Sequence, residues 1–182
     1  LGASLVIDAV SDPLVGGWSD NFRSRFGRRH IFMLAAILPT SLSFYALFHP
    51  PQTFASVELA AWMLSFTILT RLSFTFFAVP WAAMSAELSQ QYEERTSIQT
   101  YRVAVGWFVG VVFVFTMYSQ FFPPTENDPS GLLSPDSFSP FGLLVSILIA
   151  TWMVITTMAT LSQIPYLTQP TQTLPRVRLS DL

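Results

Sequence analysis

The chain has 182 residues, 51% of them apolar and only 11% charged, with a formal net charge of −2. A soluble domain usually carries about 25% charged residues, so this composition excludes an ordinary water-exposed globule and fits a membrane protein. Cysteine and lysine are both absent, which removes disulfides and thiolate metal sites from consideration.

Five long apolar segments follow one another, at about 1–18, 31–48, 57–83, 100–122 and 141–161. Each is close to the ~20 residues needed to cross a hydrocarbon layer of about 30 Å as a helix. Pro39 and Pro80 interrupt two of them; a spanning helix tolerates this where neighbours satisfy the freed carbonyls. The connections are polar, and a proline-bearing tail follows the last segment over 163–182. The expectation is a domain of five transmembrane helices over 1–162, with the tail as a linker. Leu1 falls inside an apolar segment already under way, with no signal peptide before it. The chain therefore reads as a fragment lacking at least one helix at its front.

All nine basic residues are arginines. Arg23, Arg25, Arg28 and Arg29 lie in the first connection, Arg95 in the third, and Arg176 and Arg178 in the tail. The second connection has none, and the fourth carries Glu126, Asp128 and Asp136 instead. Positive charge marks cytoplasmic loops, so the first segment is expected to run outside to inside and the tail to end inside. The arginine run beside a membrane span sets topology rather than marking a nucleic-acid site, and no nucleic-acid partner is expected.

Asp8 and Asp12 stand four residues apart in the first segment, on one helix face with about 5–6 Å between their Cβ atoms. A carboxylate at bilayer depth costs about 2.5–3.5 kcal/mol on insertion scales, so each needs a partner or a proton. Together they suit a small hard cation or a shared proton. Two other readings stand beside this one. Asp12 would cap a helix starting at Pro13, or the pair would bind Arg71 or Arg102 structurally. Arg102 stands where the fourth segment begins, near enough to a membrane surface to snorkel. Arg71 lies 16 residues, or ~24 Å of helix, before the inner end of its segment, where it would reach the outer interface or a central cavity. Thr75, Pro80 and Trp81 combine a hydroxyl, a backbone break and an indole, a grouping that often borders a transport site. Gly106 and Gly110 form a small-xxx-small pattern that permits close helix approach. Phosphate loops, nucleophile elbows and zinc patterns are all absent from the sequence, and the chain does not read as an enzyme.

The stretch "DAVSDPLVGGWSDNFRSRFGRR" resembles the signature of the glycoside–pentoside–hexuronide:cation symporters, a family of the major facilitator superfamily that includes the melibiose permease. "VPWAAMSAELSQQYEERTSIQTYR" is similar to the helix IV–V region of that family, and "QIPYLTQP" to the start of its central cytoplasmic loop. The resemblance covers helices II to VI, nearly the whole chain. It implies that Asp8, Asp12 and Thr75 bind the coupling cation, sodium or a proton, with no metal beyond such a sodium ion and no cofactor. It implies that Arg102 lies near the substrate, and Trp81, next to Ala82 at the family's aromatic sugar contact, is the second candidate for meeting it. It also implies that Gly16, Asp20, Gly27, Arg28 and Arg29 belong to a cytoplasmic gate. Two positions depart from the permease: Ala78 stands where it has an acid before the helix IV proline, and Ala82 where it has an aromatic after it.

The expected fold is all-α: a polytopic membrane protein forming part of the N-terminal six-helix half of a major facilitator transporter. Helix I and the C-terminal half of the parent chain are then the missing partners, and 163–182 begins its central loop. The expected function is cation-coupled symport of a sugar or glycoside across the plasma (inner) membrane, by alternating access. Its alternatives are a lysolipid transporter of the same fold and a non-transporting receptor relative.

Overall fold

The computed structural model describes residues 2–22, 29–87, 92–124, 128, 131, 132 and 135–161. It contains five α-helices: α1 (Gly2–Asn21), α2 (His30–Leu47), α3 (Ser56–Glu87), α4 (Tyr92–Phe121) and α5 (Pro135–Leu161). The protein is thus all-α over the described residues, as its five apolar segments foretell. α4 starts at Tyr92 rather than near Thr100, and α5 at Pro135 rather than near Phe141. Hydropathy marks only the apolar stretch of a helix, whereas backbone bonding continues into polar residues. Glu93 and Glu94 in the first turn of α4 favour that extension by facing the positive end of the helix dipole.

Four helices, all but α1, are long and apolar enough to cross a membrane by length and composition. α1 has the length, but Asp8 and Asp12 dilute its apolar content. It runs unbroken through Pro13, so Asp12 lies inside a helix and the reading of Asp12 as a cap for a helix starting at Pro13 is corrected. Pro39, Pro80 and Pro140 likewise lie within helices.

α2 is central. It packs along α3 on one side and α5 on the other, while α1 lies against α3. The core between α2, α3 and α5 comprises Met33, Ala36, Ile37, Phe77, Met84 and Met153. Small polar residues supplement it. Thr70 of α3 donates to Ser43 of α2 at 3.1 Å, and the Trp62 indole to the Ala46 carbonyl at 2.8 Å. His30 at the start of α2 meets Thr160 of α5 at 3.2 Å. Lipid gives helices no hydrophobic reason to associate, so such packing and hydrogen bonding hold a membrane bundle together.

α4 stands apart. None of its apolar span is buried. It is tied to α5 by Phe121 and Phe122 against Phe141 and Phe138, with ring centroids 5.0–5.9 Å apart. At its other end Arg102 reaches α3.

Candidate functional site

α1 and α3 lie side by side in one register. Arg71 donates to Asp8 at 2.5 Å across 63 positions of sequence. A Cβ added at Gly16 would meet Val79 at 3.6 Å, and Gly16 and Val79 are also 63 positions apart. Two contacts with one offset, eight residues apart on each helix, mean that the helices run parallel in step. The same offset puts Thr75 at the level of Asp12.

The two aspartates therefore sit in different electrostatic settings. The side chains of Asp8 and Arg71 are 27% and 43% exposed, a paired but water-accessible ion pair. Asp12, one turn further along α1, is exposed, and among the described residues it makes no hydrogen bond or ion pair. Thr75 is buried, and its hydroxyl donates to the Arg71 carbonyl at 3.2 Å, which leaves its oxygen lone pairs to accept a cation or a donor. Of the two structural pairings open in the sequence, Asp8 with Arg71 is present and pairing with Arg102 is not.

At the far end of α1, Arg29 meets Asp20. Its Nε and Nη2 donate to the same Asp20 oxygen at 3.0 and 2.6 Å. The arginine side chain is 7% exposed and the aspartate 31%. Ser19 beside them is buried and donates to the Gly16 carbonyl at 3.0 Å. This pair ties the end of α1 to the start of α2. Gly27 and Arg28, also expected in the gate, lie outside the described residues, as does the tail.

Arg102 neither reaches the aspartates nor simply extends to the surface. Its guanidinium lies 4.0 Å over the Trp81 ring and donates to the Ser85 hydroxyl at 3.0 Å. Trp81 and Ser85 are one turn apart on α3, so a single face presents both a π surface and an acceptor. Sequence reasoning placed Arg102 and Trp81 separately and missed Ser85, although the i, i+4 spacing from Trp81 was a readable signal. From Arg102 a groove of about 830 Å³ runs along α4 to Tyr118, lined by Gly106, Gly110, Val114 and Phe115 among others. Cβ atoms added at Gly106 and Gly110 would meet nothing within 4 Å, so the glycines open the groove rather than seat a neighbour among the described residues.

Residues 2–180 match the family described as MFS/sugar transport protein. An uncharacterized symporter of Synechocystis sp. is 27% identical over 79% of this chain and 26% of its own length. A protein of Escherichia coli provisionally named glycoside/cation symporter YagG is 32% identical over 54% of this chain and 21% of its own. The sodium-dependent lysophosphatidylcholine symporter 1 of Gallus gallus is 29% identical over 72% and 25%. The chain thus spans about a quarter of the length of the curated relatives it matches.

Proposed function

We propose a function for the parent protein from one premise: this chain belongs to the MFS/sugar transport protein family, whose members are integral, multi-pass symporters rather than enzymes. The parent is a secondary transporter that couples a sodium ion or a proton to the uptake of a sugar or glycoside. The carrying observation is Asp12, an exposed carboxylate without a partner among the described residues, on a helix packed along α3. Such a charge is costly at bilayer depth and is kept where an ion or proton neutralises it.

In this reading α1 spans the membrane with α2 to α5, and the coupling ion sits between Asp12, Asp8 and Thr75. Arg102 and Trp81 meet the substrate, the first donating to hydroxyls and the second offering a flat apolar face. Loading the ion removes the charge that opposes closure around the site, and the two halves of the parent then rock about it. The pair Asp20–Arg29, with Gly16, Gly27 and Arg28, holds the cytoplasmic side shut until loading is complete. The arginine-bearing loops and the tail face the cytoplasm of a plasma or inner membrane. Helix I and the C-terminal half of the parent complete the cavity, and the bilayer covers the apolar outer faces.

One observation favours a second reading. The α4 groove is apolar, and a cation stands at one end, so it suits an acyl chain with an anionic head, as in a lysophospholipid. The receptor alternative requires both aspartates to be held by arginines, and only Asp8 is so held.

The test is uptake of labelled sugars by the full-length parent in membrane vesicles, under imposed sodium or proton gradients, beside the Asp12→Asn variant. Gradient-driven uptake that the variant loses supports coupling at this site. Sugar uptake indifferent to both gradients would leave a uniporter, and lysophospholipid uptake in place of sugar would favour the second reading.

A further inference from the structure

We infer that Arg71 is a built-in counter-cation that sets how many ions the transporter carries per cycle: the Asp8–Arg71 pair reduces the coupling site to one net negative charge. The inference rests on the symport reading above and deepens it.

The charge count is short. Asp8 and Asp12 bring two negative charges within one helical turn, about 5–6 Å apart at Cβ. Arg71 returns one positive charge, bonded to Asp8 at 2.5 Å. Thr75 and Ser11, the polar neighbours at this level, are uncharged; Ser11 donates to the Asp8 carbonyl at 3.5 Å. Arg102 of α4 is engaged by Trp81 and Ser85. The net charge to be neutralised before the helices close is therefore one, and one sodium ion or proton at Asp12 meets it.

A tethered guanidinium differs from a dissolved ion in the property that matters here. It cannot leave when the site opens to the other side, so the charge it neutralises is never transported. The parallel register keeps it in place. Arg71 and Asp8 stand one turn further from the Asp20 end than Thr75 and Asp12 do, so Arg71 satisfies Asp8 while Asp12 remains open. Ala78 fits the same count. Between Glu58 and Glu87, near its two ends, α3 carries no acid, so it brings no further carboxylate to the level of Thr75 that would call for a second ion.

Removing the guanidinium alone would return the site to two like charges one turn apart, and closing the helices around them would then call for a second cation. The experiment measures ion-to-substrate stoichiometry from the reversal potential of uptake in proteoliposomes holding the full-length parent. Wild type is expected at one cation per substrate and Arg71→Gln at two, with a steeper, cooperative dependence on cation concentration. Arg71→Lys keeps the charge and stays at one. Asp8→Asn with Arg71→Gln removes the pair as a unit and returns to one, recovering coupling that Asp8→Asn alone loses, since that single change leaves Arg71 free to take Asp12.

Protein abundance in the proteoliposomes separates these outcomes from loss of folding. A merely structural pair would lower uptake in Arg71→Gln without moving the stoichiometry, and that result overturns the inference. Two cations per substrate in wild type would overturn it as well. Wild-type uptake indifferent to every cation gradient is the distinct failure of the symport reading, and the inference falls with it.

Discussion

Arg71 of α3 bonds to Asp8 of α1 at 2.5 Å, and Val79 stands opposite Gly16 two turns along in the same step. α1 and α3 thus form a parallel ladder whose rungs are an ion pair, an aspartate level with a threonine, and an apolar contact at a glycine. Function is proposed at the middle rung because it alone carries a charge left open.

The upper rung makes a prediction about energy. Both partners are partly exposed, so water screens the pair and its coupling should be small, about 1 kcal/mol or less. Thermal denaturation of the detergent-purified parent, as a double-mutant cycle of Asp8→Ala and Arg71→Ala, checks this. A coupling several times larger would mean that the rest of the parent buries the pair.

The pair at the other end of α1 should behave differently. Arg29 is almost fully buried, and taking away Asp20 removes the carboxylate oxygen that two of its nitrogens share, a cost of roughly 1–3 kcal/mol. Ser19→Cys offers a reporter in a chain with no cysteine of its own, because Ser19 is buried beside the pair. Maleimide labelling of that cysteine, in a parent freed of other cysteines, should be slow with Asp20 present and faster by about an order of magnitude in Asp20→Asn. Equal rates would remove the latch role.

Trp81 and Arg102 predict a graded effect on substrate affinity. Trp81→Phe keeps a π face under the guanidinium, whereas Trp81→Ala removes it along with about 0.5–2 kcal/mol of attraction. The apparent KM for sugar should rise little in the first and by about twofold to thirtyfold in the second, with the cation dependence unchanged. A loss of cation dependence would place Trp81 in coupling instead.

Gly142 and Gly110 predict opposite responses to added bulk. A Cβ at Gly142 would collide with the Phe48 side chain, its Cβ first, so Gly142→Ala should destabilise the α2–α5 contact by about 1–3 kcal/mol, relieved in Phe48→Gly more than in Phe48→Ala, which keeps that Cβ. Thermal denaturation of the parent reads this. Gly110→Leu fills the open groove on α4 and should leave sugar uptake in place. Uptake of lysophospholipid that this variant abolishes would favour the lipid reading.

Much of this molecule was legible along the chain. Apolar runs of about twenty residues separated by polar connections yielded five helices in order. The low share of charge left no other class of protein open. The i, i+4 spacing put Asp8 and Asp12 on one face, because that relation is local and a helix repeats every 3.6 residues.

What the tertiary structure alone decided is which carboxylate is spoken for. Asp8 and Asp12 are alike in sequence and share a helix face, yet one is held by Arg71 and the other is open. The difference comes from the register of α1 against α3, which packing across 63 positions determines. Ser85 as the acceptor for Arg102, and the groove left open along α4, depend in the same way on how helices distant in sequence come to lie beside one another. A helical repeat says which residues share a face; only packing says what that face meets.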